Sequence, residues 1–267
     1  MVQHKLDELY TKVLDKKEIQ NIFPSDILGK ISAPHLLNID QNYLEVDIRI
    51  LFVGKETNKW WGKLKHFLEV EDAIDILKQR YRVKFFGGEV PKSGDISVSK
   101  PYKAEKYSTP FFTEYKKVSE ALCDGKPGAL VWSNLLKMDL ERGKKYSRNA
   151  KSNEQIVSLS KEIFLKEIEI LKPDYIIFAT SYTYDDIIIE FLSDLITESE
   201  GNKEKRSLWK FKIGDTTCFR TWHPSTIRYK AEKSKYEYYQ DIINHISTER
   251  LNKVQQKKSE INELREI

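Results

Sequence analysis

The chain predicts an α/β fold in which a central, mainly parallel sheet is flanked by helices, and three observations carry that expectation. Short apolar runs rich in β-branched residues, such as Ile48-Arg49-Ile50-Leu51-Phe52-Val53 and Tyr175 to Ala179, have the composition of strands buried on both faces. Stretches with helical spacing separate them, the longest following Ser152. The order strand, helix, strand, long helix, strand, helix, strand is that of parallel strands joined by crossovers.

Taken in order, Leu6, Leu9, Tyr10 and Val13 mark a first helix, and an irregular stretch through Pro24 and Pro34 follows. The first strand spans Val46 to Val53 and breaks at Gly54. A helix around Val70 to Gln79 precedes a loop from Gly87 to Pro110, which holds Gly87-Gly88, Pro91, Gly94, Pro101 and Pro110. The helix Phe112 to Leu122 leads through Gly125 and Pro127-Gly128 to the second strand, Ala129 to Ser133. Ser152 and Gln155 make a capping box for the long helix, which stops at Pro173. The third strand is Tyr175 to Ala179, and a helix from Asp185 to Ile196 comes next. A hairpin turns at Gly214-Asp215 between Leu208 to Ile213 and Thr216 to Trp222, and a final helix begins near Glu232. Residues 1–250 read as one domain, with 251–267 a charged tail.

The 267 residues suffice for a full core, and 40% hydrophobic with 32% charged residues is ordinary for a folded protein. The first ten residues have no apolar segment of secretory type, and Ile187 to Ile189 is interrupted at once by Glu190, so a soluble, cytoplasmic protein is expected. Cys123 and Cys218 stand apart, which excludes a four-cysteine cluster, and the five histidines show no ligand spacing. No metal and no cofactor are expected. A net charge of +4 is mildly basic, so the placement of cations matters more than their number.

In a parallel α/β sheet, ligands bind beyond the carboxyl ends of the strands. Those ends carry Gly54-Lys55-Glu56-Thr57-Asn58-Lys59-Trp60-Trp61, Trp132-Ser133-Asn134-Leu135, Thr180-Ser181-Tyr182 and Trp222-His223-Pro224-Ser225. Each segment alone has a plain structural explanation: Gly54 can end a strand, Asn134 can bond locally, His223 can serve a turn. Their joint order is the informative feature.

That order resembles the uracil-DNA glycosylase superfamily, whose members carry Gly-x-(acid or Asn) after the first strand, Asn at the second and His-Pro-Ser after the last. Gly54-Lys55-Glu56, Asn134 and His223-Pro224-Ser225 match over roughly residues 48–228. The resemblance implies a three-layer sandwich of that type and a monofunctional DNA glycosylase. Glu56 would stabilise an oxocarbenium-like sugar and orient water, while neutral His223 would donate to the departing base's oxygen. Asn134 would read the flipped base, Phe111 would stack on it in preference to Phe112, and Lys55 would adjoin it. Ser225, Ile227, Arg228 and Lys230, together with Arg142, Lys144, Lys145 and Arg148, would contact DNA.

The match departs from the family at one place. Lys55-Glu56-Thr57-Asn58 replaces the family's Gln-Asp-Pro-Tyr, so the tyrosine that excludes bulky C5 substituents has no counterpart. The expected partner is therefore DNA carrying uracil or a modified, larger pyrimidine, including the hypermodified bases of phage DNA, in repair or anti-phage defence. No membrane association and no obligate protein partner are evident. With no lysine placed as a Schiff-base nucleophile, base removal should leave an abasic site without strand cleavage. Two other readings stand: a catalytically silent DNA-binding module, and a metal-dependent nuclease using Asp174 with Glu114-Tyr115-Lys116.

Overall fold

The computed structural model describes residues 1–57, 60, 62–89, 103, 108–142, 147–148, 150–200, 206–227 and 231–265, without the side chains of 142, 147–148, 254 and 257–265. Helices α1 (Val2–Val13), α2 (Lys16–Ile22) and α3 (Gln41–Glu45) precede β1 (Ile50–Glu56). Helices α4 (Leu64–Glu69), α5 (Ala73–Phe86) and α6 (Pro110–Cys123) lead to β2 (Val131–Leu136). A two-residue ladder, β3 (Glu141–Arg142) with β4 (Ser147–Arg148), and helix α7 (Glu154–Leu171) lead to β5 (Tyr175–Phe178). Then come α8 (Asp185–Leu192), β6 (Ile196–Ser199), β7 (Leu208–Ile213), β8 (Thr216–Thr221) and α9 (Lys235–Arg265).

The main sheet runs β2-β1-β5-β8-β7-β6; its first four strands are parallel, and β7 and β6 add antiparallel at one side. Helices cover it on both faces, the expected class. Alternation along the strands decides which residues face which layer. Phe52 meets Phe111 and Tyr115 of α6 and Tyr239 of α9, with ring centroids 5.2, 5.8 and 6.1 Å away. Trp132, its register partner on β2, packs on Phe112 of the same helix at 5.0 Å. Phe178 points the other way, to Phe164 of α7 at 6.1 Å.

On that second face lies a buried ionic network. Lys137 pairs with Glu167, both side chains fully buried, and its Nζ also donates to Ser133 Oγ at 2.6 Å. Ser133 Oγ and Tyr10 Oη donate to the two Glu167 oxygens at 3.0 and 2.9 Å. Glu167 on α7 thereby ties together α1, β2 and the segment just beyond β2.

Several boundaries differ from the sequence expectations. Strand β1 does not break at Gly54 but continues to Glu56, because Gly54 and Glu56 pair with Asn134 and Leu136 of β2. Strand β2 likewise runs past Ser133, so Asn134 lies within a strand. The cap of α7 is Asn153 rather than Ser152: its side chain accepts the Ile156 N–H at 2.8 Å. Ile196 ends no helix but begins the edge strand β6, and α3 was not foreseen. The final helix, α9, runs on through residues 252–265 of the charged tail. The expected loop from 87 to 110 lies largely outside the described residues. Among the described residues no helix is long and apolar enough to cross a membrane, and no three potential metal ligands gather.

Candidate active site

The carboxyl ends of β1 and β2 and the segment after β8 meet beneath the first turn of α6. Thr109 caps that helix by accepting the Phe112 N–H at 3.3 Å, and Pro110 at its start is preset for the turn. Phe111 is thereby set over β1. Gly54 and Asn134 are register partners on this face, and a methyl group at Gly54 would stand 2.4 Å from Asn134 Oδ1 and 3.2 Å from the Phe111 ring. Only glycine allows that approach of amide and ring.

Asn134 is buried, and its amide orientation follows from its neighbour. The Trp132 indole can only donate, and its Nε1–H reaches Asn134 Oδ1 at 3.2 Å. The oxygen therefore faces Trp132 and Nδ2 faces away. That Nδ2 is buried with no hydrogen-bond partner among the described residues. An unspent buried donor costs free energy comparable to a lost hydrogen bond.

Phe111 also stacks on His223, with centroids 5.6 Å apart and planes at 27°. The histidine is held from four directions. Its backbone N–H donates to Ser181 Oγ at 2.8 Å, and its Nδ1 accepts the Ser225 N–H at 3.1 Å. Lys235 Nζ donates to the carbonyls of Pro224 and Thr226 at 2.6 and 2.8 Å, and Tyr239 Oη to that of Trp222 at 2.6 Å. With Nδ1 accepting, the neutral ring carries its proton on Nε2, so it presents a hydrogen-bond donor.

Glu56 lies two residues beyond Gly54, hence on the same strand face, and is buried with Oε2 accepting the Ala150 N–H at 3.2 Å. Beside it Thr57 Oγ1 donates to Asp139 Oδ2 at 3.0 Å and lies 2.9 Å from Ser32 Oγ, which ties the end of β1 to both segments. Lys55, expected at the base, is placed elsewhere. It alternates to the opposite face, with Nζ 5.3 Å from the Tyr184 ring centroid.

No family model matches the chain, and no curated protein matches it.

Of the expected DNA contacts, Ser225 is exposed and Ile227 is 91% exposed beside the His223 loop. Arg228, Lys230, Lys144 and Lys145 lie outside the described residues; Arg142 and Arg148 occupy the β3–β4 ladder, their side chains undescribed. The nuclease set does not assemble. Asp174 accepts the Arg49 N–H at 2.8 Å at the start of β5, the edge opposite Asn134, while Glu114 sits in α6 3.4 Å from Lys117.

Trp132 and Ser181 lie in strand-end segments the sequence singled out but carry no expected role there, and His35 was not singled out at all. Trp132 orients Asn134, which strand alternation alone would have suggested, since residues two apart share a face. Ser181 supports His223. His35, fully buried, is enclosed by Trp132, Trp60 and Tyr81 at 4.4, 4.8 and 5.5 Å, and neither ring nitrogen has a hydrogen-bond partner among the described residues. Burial, aided by nearby Lys137, pushes its pKa well below the usual histidine range, so it is neutral.

Proposed function

We propose that this chain is a DNA glycosylase similar to the uracil-DNA glycosylase superfamily, which flips a base out and hydrolyses its N-glycosidic bond to leave an abasic site. The observation that carries the reading is the unspent Nδ2 donor of Asn134, buried behind Gly54 and beside the Phe111–His223 ring pair. The substrate is uracil or a modified, bulkier pyrimidine in DNA, and the setting is DNA repair or anti-phage defence in the cytoplasm.

The residues divide the chemistry between the two halves of the substrate. Asn134 Nδ2 donates to an acceptor on the base's Watson–Crick edge, and Phe111 covers one face of the ring. The C1′–N bond breaks with its electron pair leaving on the base. His223 Nε2–H bonds to the base carbonyl oxygen where that charge gathers. The Glu56 carboxylate stabilises the cationic sugar and orients a water, which adds to C1′ and gives up a proton to it. Phe111 and His223 stack directly on each other at 5.6 Å, which leaves no room for a base between them. The base therefore lies against Phe111 with His223 at its edge, and entry requires Phe111 to move. Exposed Ser225 and Ile227, with Arg228, Lys230, Arg142, Lys144, Lys145 and Arg148, are the proposed strand contacts.

The test uses duplex and single-stranded DNA carrying uracil or C5-extended pyrimidines, followed by alkali. Strand breaks appearing only after alkali are expected, and Glu56→Gln or His223→Ala suppresses them. Base release undiminished in both variants refutes the site. Magnesium-dependent breaks without alkali refute the glycosylase reading itself.

A further inference from the structure

Three non-glycine residues have positive φ among the described ones: Asp124, Lys172 and Ser181. Two are helix C-caps in the ordinary left-handed region, at φ 53°, ψ 23° and φ 48°, ψ 60°. Ser181 is different. At φ 61°, ψ 161° it occupies a region that is close to glycine-only, because any side chain crowds the flanking peptide.

The surroundings of Ser181 say what that backbone achieves. Its N–H donates to the Thr221 carbonyl at 2.9 Å, extending the β5–β8 pairing beyond Phe178. Its carbonyl accepts the Tyr184 N–H at 3.2 Å, which starts the turn into α8. Both bonds are backbone bonds that glycine would make without strain. The side chain adds one thing: a buried Oγ that accepts the His223 N–H at 2.8 Å and lies 3.2 Å from Thr226 Oγ1. The strained φ directs Oγ into the His223-Pro224-Ser225-Thr226 turn, spanning both its ends. The turn closes on itself through Thr226 N–H to the His223 carbonyl at 2.8 Å and Ser225 N–H to His223 Nδ1.

We propose that Ser181 is a positioning residue for His223: its hydroxyl, held by a strained backbone, fixes the turn that keeps the imidazole in its Nε2–H form and aimed at the base. This rests on the glycosylase reading for its catalytic consequence, but the positioning itself has an independent readout. The experiment compares Ser181→Gly, which removes the oxygen and the strain together, with Ser181→Ala, which removes the oxygen and keeps the strain. Single-turnover base release, DNA affinity, Tm and long-range proton–nitrogen NMR of the histidine rings are measured on each.

Both variants are expected to release base about 10- to 100-fold more slowly, the effect of a displacement of up to about 1 Å at a reacting group, with DNA affinity unchanged. Ser181→Ala should have the lower Tm, and both should convert the single Nε2–H signal of His223 to a mixture of tautomers. Wild-type base release by Ser181→Gly, with loss confined to the less stable Ser181→Ala, overturns the proposal because activity would then follow stability alone. If wild type releases no base from any DNA tested, the glycosylase reading fails. The NMR then decides the positioning: a mixture of tautomers in Ser181→Gly sustains it, and an unchanged His223 signal overturns it.

Discussion

Gly54→Ala adds one methyl group where β1, β2 and α6 come closest. Its carbon would stand 2.4 Å from Asn134 Oδ1 and 3.2 and 3.3 Å from two carbons of the Phe111 ring. Ordinary contact begins near 3.4 Å, so the amide oxygen must retreat by about 1 Å. The strands cannot absorb that shift, since β1 is paired on both sides, to β2 and to β5. The side chain moves instead, breaking the 3.2 Å bond from Trp132 and redirecting Nδ2. A misplacement of about 1 Å costs on the order of 100-fold in rate, whereas overpacking a core site costs about 1–3 kcal/mol of stability. For a domain of this size that corresponds to a Tm lower by about 2–12 °C, with the protein still folded at room temperature. Single-turnover base release and thermal unfolding, measured on the same preparation, separate the two effects. A folded Gly54→Ala protein with wild-type rate would refute the placement of Asn134 in the base-reading position.

Trp132→Phe removes the donor that orients Asn134, a hydrogen bond worth about 0.5–1.5 kcal/mol. Base release should fall roughly 2- to 12-fold, with weaker discrimination between bases presenting a carbonyl and an amino group; unchanged discrimination in rates on paired substrates argues against the orienting role. His35 is neutral in the fold, but its unfolded pKa is 6.5, so below that pH the unfolded chain binds a proton that the native state does not. Stability should drop as pH falls below 6.5, by up to about 2 kcal/mol at pH 5 from this group, and denaturant titrations at pH 7 and 5 should show His35→Phe lacking that increment. Glu167→Gln leaves Lys137 buried without its ion partner, which costs about 3–5 kcal/mol, while Lys137→Met with Glu167→Leu should recover most of the loss. Equal unfolding midpoints for the single and double variants would contradict this.

How far the sequence disclosed these features depends on whether their cause is local. The cores of the parallel strands were legible because burial on both faces leaves an apolar run that needs no partner to be recognised. Their ends were not. Gly54 looks like a break, yet the ladder carries β1 two residues further because Asn134 and Leu136 supply partners from 80 residues away along the chain. Adjacent Ser152 and Asn153 are both good caps, and a template that rewards a glutamine three residues on selects the wrong one. Edge strand β6 exists through its pairing with β7, so Ile196 alone looked like the end of a helix. Glu56, Asn134 and His223 could be singled out as candidates because a parallel sheet gathers its strand ends at one edge. The strained φ of Ser181 and the orientation of the Asn134 amide are tertiary properties and leave no mark in the residue order.

Those hidden features also bear on the choice between the proposed glycosylase and a catalytically silent DNA-binding module. A module that grips phosphates needs exposed cations and gains nothing from a buried amide donor without a partner. Asn134 Nδ2 costs about 1–3 kcal/mol where it stands, and the backbone of Ser181 about 1–3 kcal/mol more, against a typical total stability of about 5–15 kcal/mol. A glycine at the second position would relieve its strain while keeping the backbone bonds to Thr221 and Tyr184. The two costs fall on opposite sides of the Phe111–His223 pair, one on the strand that would read a base and one on the loop that aims the histidine. Lys235 and Tyr239 of α9 clamp the same loop from behind, so the strain cannot relax by letting the turn drift. Stability given up at two such points, and held in place by a third element, is what the proposed glycosylase site would require, since preorganisation around a base is set up before the base arrives.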